Sequence, residues 1–172
     1  MEHVEASLAG ARATPQTPGL FRRMACFIYE GVLLFGLLMI AGYLFSSLTQ
    51  QRHALQGRHG LQAFLFIVLG IYFVWFWSRG GQTVAMKAWN LRLTSRDGSA
   101  VSQPRALCRY LLSWLWFMPA LLAIWLADLR SPGASFAVMG AGVVAYAMLA
   151  RLHPSRQFWH DVVCGTVVVS SK

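Results

Sequence analysis

The chain has 172 residues, of which 56% are hydrophobic but only 12% are charged. A soluble domain usually carries about a quarter charged residues, so this composition cannot coat a water-exposed globule of the same size. The formal net charge of +9 is of the kind seen in nucleic-acid-binding proteins, but the basic residues lie between long apolar runs and not on one soluble module. We therefore predict an integral membrane protein, with the lipid bilayer as its main partner and no nucleic acid.

The first segment of the chain, residues 1–20, combines Pro15, Pro18 and Gly19 with two glutamates. It lacks the apolar stretch of about 7–15 residues that a secretory signal requires. We expect residues 1–20 to form a disordered cytoplasmic tail. Residues 170–172 are predicted to be a short C-terminal tail.

Four long apolar runs follow, at residues 24–48, 61–77, 110–127 and 133–150. A helix needs about 17–25 apolar residues to cross the hydrocarbon core of a bilayer. Ser102 as N-cap with Pro104 in the first turn extends the third helix backward, to about residues 106–127. The predicted fold is an all-α membrane domain with four transmembrane helices, at about 24–48, 61–77, 106–127 and 133–150.

The distribution of basic residues predicts the orientation of these helices. Twelve of the fifteen Lys and Arg residues lie in segments on the same side as the N-terminus, and the other three are Arg52, Arg58 and Arg130. Lys and Arg concentrate in the cytoplasmic loops of membrane proteins. Both termini are therefore predicted to lie in the cytoplasm, together with the strongly basic loop at residues 78–109.

Two short segments outside the apolar runs have the pattern of strands. Leu91 and Leu93 alternate with Arg92 within residues 90–94, and three successive valines lie within residues 166–169. Both segments fall on the predicted cytoplasmic side. We predict a small interfacial element there, in which residues 90–94 pair with residues 166–169 as two strands.

Glu30 is the one formal charge within the four apolar runs. Counted from Met24 at about 1.5 Å per residue, it lies roughly 10 Å inside the membrane, where a carboxylate must be protonated or paired. Arg23 is on nearly the same helix face, and the other candidate ion-pair partners are Arg22, Arg105 and Arg109. Two interpretations remain open: a clamp that pins the first helix to its neighbours, or a site that binds a proton or cation on a translocation path.

Small residues recur at intervals of four along the fourth run. They are Gly133, Ala137, Ala141 and Ala145. Such a stripe lets helix backbones approach closely. We predict that it is a packing face, either within one protomer or between protomers.

Nothing in the sequence indicates an enzyme, a metal site or a cofactor. Cys26, Cys108 and Cys164 form no CxxC pair and no Cys/His cluster with zinc spacing. His160 adjoins Asp161, but no serine or cysteine motif supplies a nucleophile for them. No phosphate-binding loop or dinucleotide fingerprint is present.

Three stretches of the chain, in order, resemble the RDD family of small bacterial membrane proteins, which is named for one arginine and two aspartates. The stretches are residues 21–30, 81–87 and 160–168. The arginine of the family falls on Arg23, its first aspartate on Glu30 and its second on Asp161. Glu30 is a departure that keeps the carboxylate on a longer arm, and Ala85 stands where the family usually has glycine.

This resemblance covers about residues 21–169, which we predict to be a single domain. It implies a multi-pass protein of the bacterial cytoplasmic membrane. Transport of unknown ligands has been proposed for the family, and cation/proton antiport is associated with some members.

Two functional hypotheses follow. In the first, the chain is a transporter or transporter subunit in which Glu30, with or without Asp161, binds a proton or cation. Four helices are few for a carrier, so this hypothesis implies a homo-oligomer. In the second, the chain is a non-transporting accessory protein whose basic cytoplasmic face binds a partner or anionic lipid. The sequence does not identify a ligand.

Overall fold

The computed structural model of the protein describes residues 17–49, 58–152 and 157–171. The predictions for residues 1–16, for Arg52 and for Lys172 lie outside these residues. Four helices are long and apolar enough to cross a membrane, at Leu20–Leu48, His59–Arg79, Gln103–Leu126 and Pro132–Leu149. The predicted fold of four membrane-spanning helices is confirmed, whereas their orientation across the bilayer stays a prediction.

The elements follow one another simply along the chain. They are α1 (Leu20–Leu48), α2 (Arg58–Arg79), α3 (Val84–Ala88), β1 (Leu91–Ser95), α4 (Gln103–Ser113), α5 (Met118–Leu126), α6 (Pro132–Leu152), α7 (Trp159–Cys164) and β2 (Thr166–Ser170). A 3₁₀ turn at Trp114–Trp116 separates α4 from α5. The third span is therefore built from two helices in series.

The break in the third span has a local cause. Pro119 lies in the first turn of α5. Proline has no N–H group, and a first turn is the one place in a helix where none is needed. Just before it, the Phe117 N–H donates to the Trp114 carbonyl at 3.0 Å, which closes the 3₁₀ turn.

The predicted strand pairing is also confirmed. β1 and β2 are antiparallel, with Leu91 opposite Ser170 and Ser95 opposite Thr166. Leu93 is almost fully buried, and its N–H donates to the Gly81 carbonyl at 2.7 Å. Gly81 has a φ of +67°, and a Cβ there would lie 2.4 Å from the Leu93 carbonyl oxygen. Only glycine fits this position.

The best-packed part of the molecule is where the sheet meets the ends of α1, α2 and α4. Its buried residues are Cys26, Trp77, Ala85, Met86, Leu91, Leu93, Val101, Ala106, Tyr110 and Val168. Further along the spans, large apolar side chains such as Ile28, Phe35 and Ile40 are exposed. Exposed apolar surface of this extent is what a lipid-facing helix requires.

The small-residue stripe of α6 does not pack within the protomer. Gly133, Ala137, Ala141 and Ala145 are all exposed. The interpretation of this stripe as a packing face within one protomer was therefore wrong. Its interpretation as a packing face between protomers stays a prediction.

The packing face of α6 is set by an aromatic cluster. Tyr146 and Phe158 pack on Trp116 with ring centroids 4.9 Å and 4.8 Å away, and burying such rings removes more apolar surface than burying four small residues. On the same face Gly142 lies so close to Ala120 that an added Cβ would meet the Ala120 Cβ at 2.8 Å. The rotation of α6 therefore turns the stripe outward.

Candidate functional site

A buried ion pair joins α4 to α7. The Nε of Arg109 donates to Oδ1 of Asp161 at 2.6 Å, and the Thr166 hydroxyl donates to the same oxygen at 3.2 Å. Asp161 is completely buried, and the guanidinium of Arg109 lies over the Trp77 ring, 4.1 Å from its centroid. The pair thus ties together the third span, the short helix α7 and the sheet.

Asp161 is ionised in this setting. Burial acts to raise the pKa of its carboxyl group, but the charge of Arg109 and the hydrogen bonds from Arg109 and Thr166 outweigh it and hold that pKa below its usual value. Both the guanidinium of Arg109 and the hydroxyl of Thr166 donate to Oδ1 of Asp161, while its buried Oδ2 has no hydrogen-bond partner in the part of the chain that the structure describes. Asp161 therefore holds α7 to α4 and to β2.

His160, the residue before Asp161, carries no charge near neutral pH. Burial lowers the pKa of its imidazole to about 4, despite the nearby Asp161 carboxylate. Its Nδ1 accepts a hydrogen bond from the Trp116 indole at 3.2 Å, which assigns the proton of the neutral ring to Nε2. His160 therefore packs as a neutral ring within the aromatic cluster.

Arg23 lies on α1 beside the same group of residues. It is buried, its guanidinium carbon lies 4.5 Å from the centroid of the Phe158 ring, and Asp161 attracts its charge. The two residues that correspond to the arginine and second aspartate of the resemblance are thus brought together.

Glu30 has different partners. The Tyr72 hydroxyl donates to its Oε1 at 2.7 Å, and the Thr83 hydroxyl donates to its Oε2. Thr83 is the N-cap of α3 and also accepts from the Met86 N–H at 3.2 Å. Glu30 is 8% exposed, so a buried carboxylate joins α1, α2 and α3 through hydroxyl groups.

Three of the four arginines expected to pair with Glu30 have other partners, while pairing with Arg23 stays a prediction. Arg109 is bound to Asp161, Arg22 donates to the carbonyls of Trp89 and Asn90 at 2.7 Å and 2.9 Å, and Arg105 donates to the Ser95 hydroxyl at 3.1 Å. Arg109 is held by a fully buried carboxylate, and the other two satisfy polar groups around β1. Among the described residues, Tyr72 and Thr83 donate hydrogen bonds to Glu30, and both donors are hydroxyls.

Tyr72 and Thr83 were the functional residues that sequence reasoning missed. Nothing in the sequence around Tyr72 distinguishes it from the other aromatic residues of α2. Thr83 did carry a signal, because a threonine before a short helix is a favoured N-cap. That signal fixes the backbone at Thr83 but not the direction in which its hydroxyl donates.

A cavity of about 700 Å³ lies between the spans, and both Glu30 and Arg109 line it. Arg23, Glu30, Thr83, Arg109 and His160 line it at the end near the sheet. Asp161, being completely buried, lies behind that lining. Across residues 17–49, 58–152 and 157–171, no group of three His, Cys, Asp or Glu side chains converges as a metal site would require.

The profile of the RDD family matches residues 17–165, which include all the charged residues of the site. No curated protein and no solved structure matches the chain.

Proposed function

Because this chain belongs to the RDD family, we propose that it is a transport-related protein of the bacterial cytoplasmic membrane in which Glu30 binds a proton or a cation. The observation that carries the proposal is the setting of Glu30. Its carboxylate is buried within a membrane-spanning helix, lines a cavity and is held by two hydroxyls. An ionisable group within a membrane-spanning segment is a candidate for an ion or proton pathway.

Hydroxyl partners allow Glu30 to change its charge. A hydroxyl can donate to an ionised carboxylate or accept from a protonated one, whereas a guanidinium can only donate. Tyr72 and Thr83 can therefore satisfy Glu30 in either state with little rearrangement. A carboxylate fixed to an arginine would hold its charge and would be a poor site for exchange.

Asp161 is assigned a positioning role. It is completely buried, bound to Arg109 and separated from the cavity. Its ion pair holds α7 and the sheet against α4, and so fixes one wall of the cavity that Glu30 lines. The exchange site is therefore proposed at Glu30 alone.

The test is ion flux in proteoliposomes that contain a pH-sensitive dye. With Na⁺ or K⁺ added outside, the wild type is expected to move protons, Glu30→Gln to fall to the level of empty liposomes, and Glu30→Asp to retain flux because it keeps the carboxylate. Equal flux in wild type and Glu30→Gln would overturn the role of Glu30. A wild type no faster than empty liposomes for either cation would overturn the proposal as a whole.

A second function, that of an accessory protein, is favoured by one observation. Five basic side chains from the end of α2 to the first turn of α4 are exposed: Arg79, Lys87, Arg92, Arg96 and Arg105. Such a cluster beside a membrane attracts anionic lipid at about 1 kcal/mol per charge. Changing Lys87, Arg92 and Arg96 to Gln should then lower the amount of anionic lipid that co-purifies, with no change in flux.

A further inference from the structure

The central cavity has ends of opposite chemical character. Arg23, Glu30 and Arg109 line one end, and apolar side chains including Leu38 and Leu121 line the other. Arg23 and Leu38 are fifteen residues apart on α1, which places them about 22 Å apart along the helix axis. The cavity therefore runs from a polar zone at the helix ends to an apolar zone deeper in the span, as a lipid molecule does.

The size of the cavity suits an amphiphile. Its volume of about 700 Å³ lies within the range of about 300–1,000 Å³ that is usual for small-molecule sites. Aromatic side chains, among them Phe73, Trp114 and Phe117, make up much of the apolar wall. Such a wall is suited to a flexible hydrocarbon chain, because it presents few polar groups to that chain.

The charges around the polar end specify the headgroup. Arg23 and Arg109 are cationic, while Asp161 and an ionised Glu30 are anionic, so the group is neutral as a whole. An added net charge in so apolar a place is costly. A headgroup with both a phosphate and an ammonium group keeps the site neutral, whereas a purely anionic one does not.

The cavity offers one partner for each charge of such a headgroup, Arg109 for the phosphate and Glu30 for the ammonium. Guanidinium groups bind phosphate oxygens well, and in the described part of the chain Arg109 is hydrogen-bonded through Nε alone, which leaves its two terminal nitrogens for a ligand. The Glu30 carboxylate can accept from an ammonium group. The two groups lie on different elements, α4 and α1, and line the same cavity.

We propose that this cavity binds one phospholipid with an ethanolamine headgroup. Its phosphate contacts Arg109, its ammonium faces Glu30, and one acyl chain extends along α1 toward Leu38. The proposal goes beyond ion transport, because the lipid can occupy the cavity whether or not an ion crosses the membrane.

The experiment uses the full chain reconstituted with equal parts of phosphatidylethanolamine, phosphatidylglycerol and phosphatidylcholine, then extracted in mild detergent for native mass spectrometry. The wild type is expected to retain one phosphatidylethanolamine per chain. Gly31→Phe should abolish retention, because Gly31 lines the cavity and an added Cβ there meets open space. Gly36→Phe is the matched control on the same helix, exposed and equally free of neighbours.

A second variant tests the headgroup and does not rely on filling the cavity. Glu30→Gln should lower the preference for phosphatidylethanolamine over phosphatidylglycerol by about tenfold, as expected for the loss of one hydrogen bond to a charged group. No retained lipid in the wild type, or equal retention of all three lipids, would overturn the proposal. So would equal retention in Gly31→Phe and Gly36→Phe. Because the assay involves no ion gradient, its result is independent of the flux measurement.

Discussion

The two carboxylates of the site are buried to nearly the same degree, yet they are held in opposite ways. Asp161 is bound to the guanidinium of Arg109 and lies behind the cavity wall. Glu30 is bound to the hydroxyls of Tyr72 and Thr83 and lines the cavity itself. We therefore expect Asp161 to stabilise the fold and Glu30 to change its charge, although the sequence resemblance places both on acidic positions of the family.

The largest effect is expected from Arg109→Ala. It leaves Asp161 as an uncompensated charge in a fully buried place, and breaking a buried pair in this way costs about 3–5 kcal/mol. Unfolding in detergent, followed by circular dichroism, measures the loss. Adding Asp161→Asn to Arg109→Ala should restore part of the stability. If Arg109→Ala is as stable as the wild type, Asp161 is not held as described.

The next largest effect is a loss of stability at acid pH, which arises from His160 beside Asp161. Burial lowers the pKa of His160 from 6.5 to about 4. Between pH 6.5 and pH 4, therefore, His160 binds a proton in the unfolded chain but not in the folded chain. The contribution of the neutral His160 to the free energy of unfolding is complete above about pH 6.5 and falls as the pH drops toward 4. The loss amounts to at most about 3 kcal/mol, at about 1.4 kcal/mol per pKa unit.

Melting temperatures measured in detergent from pH 7.5 to pH 4.5 test this dependence. His160→Asn should flatten the decline, because asparagine can still accept from Trp116 but does not titrate. A decline of the same size in His160→Asn would assign the acid sensitivity to other groups.

A smaller effect is expected on the Glu30 side. Tyr72→Phe removes one of the two hydroxyls and should cost about 1.5–3 kcal/mol, the usual contribution of a hydrogen bond to a charged group. The loss should fall to about 0.5–1.5 kcal/mol when the same change is made in Glu30→Gln, because the glutamine carbonyl still accepts but carries no charge. A double-mutant cycle on thermal unfolding measures this coupling, and additive losses would show that the two side chains do not interact.

The smallest effect is expected from Thr166→Val. The Thr166 hydroxyl supports Asp161 at 3.2 Å, but Arg109 remains as the main partner, so the loss should be about 1 kcal/mol. The same unfolding assay applies. A loss larger than that of Tyr72→Phe would reverse the comparison, since hydroxyls would then matter more at Asp161 than at Glu30.

The fold could be predicted well because membranes impose strong rules on sequence. Long apolar runs identify the spans, and the alternation at residues 90–94 together with the valines after Gly165 identifies the two strands. The break in the third span before Pro119 was harder to predict from the sequence. A proline marks disturbance of a helix, but whether it kinks one helix or begins another depends on the turn that precedes it.

The partners of the charged residues could not be predicted in the same way. Spacing along the chain placed Glu30 near several arginines, but the choice between them depends on how α7 returns to the bundle after a gap of about fifty residues from Arg109. The stripe on α6 failed for a similar reason. Side-chain size suggested a packing face, whereas the aromatic cluster at Trp116, Tyr146 and Phe158 decides which face turns inward.

The most direct test of the contrast between the two carboxylates is labelling with dicyclohexylcarbodiimide, an apolar reagent that modifies protonated carboxyl groups, followed by peptide mass spectrometry. In membranes we expect modification of Glu30 that declines as the cation concentration rises, and none of Asp161, which stays ionised beside Arg109. Modification of Asp161 with Glu30 unreactive would contradict the account, because the exchangeable charge would then lie on the wrong residue.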